Sequence, residues 1–108
     1  MMELRHLRYF LVVAEELHFG RAAERLAMSQ PPLSVAIRQL EDAVGTRLLE
    51  RNSKSVRLTA AGKALVQSAT QVLEQAEEAK RLAHAVGEGK AGRLRVGFVG
   101  GMLFRWLP

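Results

Sequence analysis

The chain has 108 residues, 48% of them hydrophobic, which fits one small folded domain with an appendage and excludes wholesale disorder. It contains no cysteine, no signal-peptide pattern and no run of roughly 20 apolar residues, which excludes disulfides, thiolate metal sites and membrane spans and predicts a soluble cytoplasmic protein. The net charge of +5 identifies no partner by itself, because much of the excess comes from three arginines in residues 92–108, which hold no acid.

The first two predicted helices are short and amphipathic. Apolar residues at three- and four-residue steps predict a helix from Leu4 to Leu17. Its expected buried face consists of Leu4, Leu7, Phe10, Leu11, Ala14 and Leu17. A second helix is predicted from Arg21 to Ala27, with Gly20 as its N-cap. The small buried face of this helix, formed by Ala22, Ala23 and Leu26, would let a neighbouring helix approach closely.

The third predicted helix has clear signals at both ends. Ser29 is the expected N-cap, and prolines 31 and 32 lie in the first turn. The helix is expected to run to about Val44 and to be ended by Gly45. Its predicted buried residues are Leu33, Ile37, Leu40 and Val44. At about 100° per residue, the opposite side carries Pro31, Val35, Arg38 and Asp42, with Ser34 on the flank. This helix should therefore expose one complete face.

A hairpin and a long helix follow. Residues 47–51 and 56–58 predict two short strands around a polar turn, with Arg51, Lys54 and Arg57 near the tip. Thr59 can cap a fourth helix that reaches about Val86. One face of that helix has a heptad spacing and is predicted to form a dimer interface: Leu65, Ala69, Val72, Ala76, Ala79, Ala83 and Val86. The alanines require a closely packed partner helix; packing of this face on its own domain is the alternative.

The predicted domain organisation has four parts. A winged helix-turn-helix domain spans residues 1–58, a dimerisation helix 59–87 and a glycine-rich hinge 88–92. Residues 93–108 begin with an alternating strand pattern at Leu94, Val96 and Phe98. A lone strand cannot satisfy its backbone hydrogen bonds, so we expect these residues to begin a second domain.

The predicted elements follow one another as a helix, a short turn, a helix with an exposed face and a basic hairpin. This order predicts a mainly α, winged helix-turn-helix fold that binds double-stranded DNA. Arg38 can bind guanine or a phosphate, Gln30 can bind adenine or a phosphate, and Val35 can contact a thymine methyl. Basic residues on the hairpin would neutralise phosphates. The predicted DNA-contacting residues are Gln30, Pro31, Pro32, Ser34, Val35, Arg38, Arg51, Ser53 and Lys54.

Two other function classes fit parts of the sequence. The same exposed helix face could serve a coiled-coil adaptor that binds protein rather than DNA. Gly97, Gly100 and Gly101 suggest a phosphate loop of an enzyme, but no Gly-Lys-Ser/Thr follows them. No paired carboxylates, nucleophile–base pair or metal cluster can be assembled from the sequence, and His6, His18 and His84 lie far apart. The sequence therefore predicts no catalytic residue, no metal and no cofactor.

Several segments together resemble one protein family. They are Leu4–Phe10 (LRHLRYF), Arg21–Leu26 (RAAERL), Ser29–Ser34 (SQPPLS), Leu48–Arg51 (LLER), Leu58–Gly62 (LTAAG) and Val96–Phe98 (VGF). With Ile37, Leu40, Glu41 and Gly45, they resemble the DNA-binding domain, the linker helix and the start of the effector domain of bacterial LysR-type transcriptional regulators. The resemblance covers residues 2 to about 100.

The resemblance implies a promoter-binding regulator that dimerises through antiparallel linker helices and acts as a dimer or, as in many members, as a tetramer made of two dimers. It also implies a small-molecule effector bound by the second domain, RNA polymerase as a partner of the full-length protein, and a location on the nucleoid when bound to DNA. The segments containing Pro31 and Tyr9 are most similar to regulators of aromatic-compound catabolism. Two departures stand out: Val35 replaces a polar or basic residue of many relatives, and residues 18–20 lack the usual hydroxyl cap.

Overall fold

The computed structural model describes residues 1–89, and the predicted strand at 94–98 and the predicted effector domain lie outside this range. The elements are α1 Leu4–Glu16, α2 Phe19–Arg25, α3 Gln30–Val44, β1 Leu49–Arg51, β2 Val56–Leu58 and α4 Ala60–Gly87. The three short helices contact one another, and β1 and β2 form an antiparallel hairpin. The predicted mainly α fold with a two-stranded wing and a long last helix is confirmed.

The buried face of α1 differs from the predicted one. Leu7 and Phe10 are buried as expected, but Val13 is buried as well, while Leu4 and Leu17 are 45% and 40% exposed. Leu17 has a left-handed backbone (φ 50°) and ends the helix, its N–H donating to the Val13 carbonyl over 2.7 Å. The prediction was wrong at these two leucines because they lie at the helix ends, whereas α2 and α3 cover the middle of α1.

The second helix starts earlier than predicted. It begins at Phe19, and its N-cap is His18, whose ring Nδ1 accepts a hydrogen bond from the Arg21 backbone N–H at 3.0 Å. The prediction of Gly20 as the N-cap was therefore wrong, because the imidazole nitrogen supplies the acceptor that a hydroxyl supplies in other helices. Phe19, which follows this N-cap directly, and Ala22, one turn later, are both buried.

The predicted bounds of α3 are confirmed. Ser29 occupies the N-cap position without a side-chain hydrogen bond, and Gly45 ends the helix in the left-handed region at φ 82°. The expected core residues Leu33, Ile37 and Leu40 have no exposed surface. Val44 is 38% exposed, so its predicted burial was wrong. It lies in the final turn of the helix, one turn beyond Leu40, the last core leucine.

A buried carboxylate joins α3 to the wing. Oε2 of Glu41 accepts hydrogen bonds from the backbone N–H of Leu48 at 2.8 Å and of Leu49 at 3.2 Å. Both leucines belong to the hydrophobic core. Because backbone donors at the start of a two-stranded sheet have few partners, this acceptor fixes where the wing leaves the domain.

The start of α4 packs tightly against the wing. Thr59 caps the helix as predicted, its hydroxyl oxygen accepting from the Gly62 N–H at 3.0 Å and its hydroxyl donating to the Arg47 carbonyl at 2.8 Å. A Cβ at Gly62 would overlap the carbonyl oxygen of Leu48. Glycine at this position therefore permits a close approach of helix and wing that no other residue permits.

The face of α4 predicted to form a dimer interface divides into two parts. Ala69 has no exposed surface and belongs to the core, and Leu65 packs against that core. The prediction that Ala69 contacts a second subunit was therefore wrong, because its neighbours in the chain cover it completely. Further along the helix, Val72 is 41% and Val86 37% exposed. Ala79 and Ala83 are also exposed, and Ala76 is partly exposed.

The contacts of the chain divide it into two compact units between Leu73 and Glu74, within α4. The first unit therefore extends beyond residue 58, so it contains the first turns of the helix as well as the predicted domain. In the second unit, surface ion pairs join Glu77 to Lys80 and Glu78 to Arg81. Among residues 1–89, no helix has both the length and the apolarity needed to cross a bilayer.

Candidate nucleic-acid interface

The outward face of α3 is exposed as the sequence predicts. Pro31, Pro32 and Arg38 are exposed, Val35 is 43% exposed and Ser34 is partly exposed. The opposite face is filled by core residues, so the helix has one side available to a ligand along its whole length. An α-helix with its side chains is narrow enough to fit the major groove of B-DNA.

The two prolines change the chemistry of the α3 N-terminus. The first four residues of a helix normally present free backbone N–H groups, which favour a phosphate. Pro31 and Pro32 lack that hydrogen, which leaves Gln30 and Leu33 as the donors of the first turn. This end of α3 is therefore better suited to apolar contact and to the Gln30 side-chain amide than to a backbone phosphate site.

A groove joins the start of α3 to the wing. It is lined by residues 17–20, by Gln30 and Ser34, and by residues 51–56. The structure thus brings together five residues predicted separately from the sequence: Gln30, Ser34, Arg51, Ser53 and Lys54.

The wing tip has a defined turn that presents Lys54. Oδ1 of Asn52 accepts hydrogen bonds from the backbone N–H groups of Lys54 at 2.8 Å and Ser55 at 2.9 Å. The Asn52 N–H in turn donates to the Ser55 carbonyl at 3.0 Å. Side-chain acceptors of this kind stabilise tight turns, so the tip projects Ser53 and Lys54 from a fixed backbone.

A second groove lies between the later turns of α3 and the first strand of the wing. Its lining includes three basic residues, Arg38, Arg47 and Arg51, together with Val35 and the acidic Glu41 and Asp42. Arg51 lines both grooves and lies at their junction. Arg47 was not selected from the sequence; its only signal was a basic residue immediately before a predicted strand.

Arg57 does not join this surface. In the hairpin register Arg57 pairs with Glu50, whereas Arg51 pairs with Val56, so the two arginines lie on opposite faces of the two-stranded sheet. Arg57 instead lines a different depression, together with Glu50 and Lys63. Arg51 and Arg57 both lie near the tip, as predicted, but on opposite faces of the hairpin, because neighbouring residue pairs of a two-stranded sheet point to opposite sides.

The charge on the surface depends on which cations are already paired. Arg25 lies 2.7 Å from a carboxylate oxygen of Glu15 and 3.1 Å from one of Glu16, and Arg21 lies 3.2 Å from Glu16. The hydrogen bonds that Glu16 accepts from Arg25 and Arg21 hold its pKa below the ordinary value, and the bond from Arg25 has the larger effect.

The cations of the predicted site differ from Arg21 and Arg25 in their partners. In the part of the chain that the structure describes, none of Arg38, Arg51 and Lys54 forms an ion pair. Their positive charge is therefore available to an anionic partner. Residues 1–89 bring together no group of three metal-ligating side chains.

Three further residues support the site and were not selected from the sequence. Phe19 lies beneath Arg51, Asn52 forms the wing turn, and Glu41 anchors the strand. Asn before Ser-Lys-Ser is a turn signal, so Asn52 could have been found. Nothing in the local sequence around Phe19 or Glu41 indicates a contact with residues 7 to 32 positions away.

An exposed helix face lies beside a hairpin whose cations Arg51 and Lys54 form no ion pair with any other described residue. These features define a winged helix-turn-helix domain of the DNA-binding class. The family described as bacterial regulatory helix-turn-helix protein, LysR family, matches residues 4–63. The chain therefore belongs to the LysR family of transcriptional regulators.

Individual relatives agree with this assignment. The chain is 56% identical over 97 residues to the uncharacterized HTH-type transcriptional regulator YnfL of Escherichia coli, covering 90% of this chain and 33% of YnfL. It is 50% identical over 107 residues to the HTH-type transcriptional regulator AlsR of Bacillus subtilis, covering 99% of this chain and 35% of AlsR. The chain thus spans about a third of the length of these relatives.

A solved complex with DNA has the same fold. The DNA-binding domain of CbnR, crystallised with DNA, superposes with a TM-score of 0.77 at 41% identity, covering 80% of this chain and 99% of that chain. The likeness in fold extends over nearly the whole of a domain that was solved on DNA.

Proposed function

We propose that this chain is the sequence-specific DNA-binding part of a bacterial transcriptional regulator. Its α3 enters the major groove, led by Gln30 and the two prolines, and its wing contacts the flanking backbone. The observation that carries this proposal is the continuous exposed face of α3 beside Arg38, Arg51 and Lys54, three cations that form no ion pair within residues 1–89. Arg38 reads a base edge, Val35 contacts a thymine methyl, and Arg51 and Lys54 neutralise phosphates.

Arg38→Ala tests base reading. If Arg38 binds guanine, specific affinity falls by about 1–3 kcal/mol while affinity for random DNA changes little. Fluorescence anisotropy on a footprinted promoter duplex and on a scrambled duplex measures both affinities. Arg81→Ala is the matched control, since it removes the same charge from an exposed position on α4. Equal losses on both duplexes would make Arg38 a phosphate contact instead.

Lys54→Ala tests the wing. We expect affinity to fall on all sequences, and the slope of log affinity against log salt to become shallower by about 0.9 for each phosphate that the variant no longer neutralises. The same two duplexes serve at several salt concentrations. A salt slope equal to that of the wild-type chain would show that Lys54 binds no phosphate.

The second part of the proposal is a homodimer formed through the exposed part of the α4 face. Val72, Ala76, Ala79, Ala83 and Val86 repeat at heptad spacing, and the alanines allow a second helix to approach closely. Because two helix-turn-helix units read two half-sites, this pairing would set the spacing of the operator. Dimers would associate further into tetramers in the longer protein.

Light scattering tests this part without DNA. We expect a dimer at micromolar concentration, and a shift towards monomer in Ala79→Glu, which places a charge in the paired face. Glu77→Gln serves as the control because position 77 lies about 160° from position 79 around the helix, on the opposite side. A monomer at all concentrations would contradict the dimer while leaving DNA binding by single domains open to the anisotropy test.

For the longer protein we propose an effector-binding α/β domain that begins near residue 93, preceded by a hinge at 88–92. We also propose a small-molecule effector, RNA polymerase as a partner and a cytoplasmic, nucleoid-bound location; membership of the LysR family supports these proposals. Regulation of aromatic-compound catabolism stays a prediction from the motif resemblance. Footprinting of the promoter nearest the gene would identify the operator.

A further inference from the structure

Arg51 stacks on an aromatic ring at the junction of the two grooves. Its Cζ lies 4.3 Å from the centroid of the Phe19 ring. We propose that Phe19 is a positioning residue, which holds the Arg51 guanidinium at this junction and so determines how strongly the wing contributes to DNA binding. This inference rests on the proposed function, since it concerns one of the cations assigned to the phosphate backbone.

The hairpin geometry requires a support of this kind. Arg51 lies on the same side of β1 as Leu49, which is 1% exposed, so its side chain leaves the strand on the side that faces the core. An arginine that starts from this side has to cross apolar surface before its charge reaches solvent. Phe19, only 8% exposed, supplies the surface that it crosses.

The ring is suited to hold a cation rather than simply to fill space. The face of an aromatic ring carries negative electrostatic potential, and a guanidinium is attracted to it within about 6 Å of the centroid. An aliphatic residue of similar volume would preserve much of the packing but lack this attraction. Phe19 is anchored in the core through α2, so the cation is attached to the helical part of the domain.

Positioning reduces the conformational freedom that Arg51 loses on binding a phosphate. A long arginine side chain free in solvent must be immobilised when it binds, whereas one already stacked has lost that freedom beforehand. Lys54 at the tip is exposed and has no aromatic ring beneath it among the described residues. Substitution of Phe19 should therefore act on phosphate binding by Arg51 and leave phosphate binding by Lys54 unchanged.

A double-mutant cycle tests the coupling on a random-sequence duplex of about 30 base pairs. We expect Phe19→Leu to weaken binding by about two- to fivefold when Arg51 is present, and by less than about 1.5-fold in an Arg51→Ala background. Phe19→Tyr, which keeps the ring face, should restore most of the affinity. The same effect of Phe19→Leu with and without Arg51 would overturn the positioning role.

A second measurement requires neither DNA nor a folded variant. In the wild-type chain, stacking on the ring should shift the NMR resonances of the Arg51 δ protons upfield of those of Arg38, which has no ring beneath it among the described residues. Ordinary shifts for Arg51 would refute the stacking. Failure of the wild-type chain to bind any duplex would refute the proposed function. If the wild-type chain binds, but Phe19→Leu has the same effect with and without Arg51, only the role of Phe19 is refuted.

Discussion

Loss of the Glu41 carboxylate should detach the wing from the helical core. In Glu41→Ala, the backbone N–H groups of Leu48 and Leu49 lose an acceptor that they reach at 2.8 and 3.2 Å. A buried donor left without a partner costs about 1–3 kcal/mol. The shorter bond should account for most of the effect, so we expect the free energy of unfolding to fall by about 2–4 kcal/mol.

The conservative variant separates charge from hydrogen bonding. Glu41→Gln retains an oxygen acceptor of similar reach, so the loss should be only about 1 kcal/mol, reflecting the weaker bond to a neutral acceptor. Arg47→Ala is the matched control. Its Nε is 3.9 Å from Oε2 of Glu41, but the Arg47 side chain is 76% exposed, so its removal should cost less than about 0.5 kcal/mol.

Urea denaturation, followed by circular dichroism at fixed protein and salt concentration, gives the change in the free energy of unfolding for each of the three variants. The expected shift of the Glu41→Ala midpoint is on the order of 1–2 M urea. Protein concentration must be fixed because any dimerisation would itself stabilise the folded state. Equal effects of Glu41→Ala and Arg47→Ala would refute the reasoning, because they would mean that the two backbone bonds contribute nothing.

Two further predictions concern packing and pH. Gly62→Ala should destabilise the domain by about 1–3 kcal/mol through overlap with the wing backbone. Gly87→Ala, whose new Cβ would have none of the described residues within 4 Å, should stabilise α4 slightly. Thermal unfolding compares the two variants, and an equal change in melting temperature would contradict the close approach at Gly62. The pKa of Glu16 is lowered in the folded state, so its contribution to stability is present above the ordinary carboxyl pKa and is lost as the pH falls through the lowered value. Arg25→Ala should raise this pKa in an NMR titration; an unchanged pKa would show that Arg25 is not its main cause.

Local signals were sufficient for the elements that carry DNA-binding chemistry. The ends of α3 follow from Ser29, the two prolines and Gly45, because capping and backbone conformation depend on a few neighbouring residues. The exposed face follows from the period of 3.6 residues, which fixes which side chains share a side. The strands, the tip and the Thr59 cap were predictable for the same reason.

Periodicity was less reliable where one element meets several others. The buried face of α1 includes Val13 but not Leu4 or Leu17, because the positions of α2 and α3 decide which part of an apolar stripe is covered. The heptad face of α4 likewise contains Ala69, which the domain itself buries. A repeat in the sequence marks an apolar face but does not state which surface will cover it.

The sequence by itself determined that this chain forms a helix-turn-helix with a basic wing, since turns, caps and helical periods are properties of short segments. Only the tertiary structure decided that Arg51 lies over Phe19, that Glu41 holds the start of the wing, and that Arg57 points away from the groove. Each of these contacts joins residues from different elements. Their formation depends on how the elements pack, which no local pattern specifies.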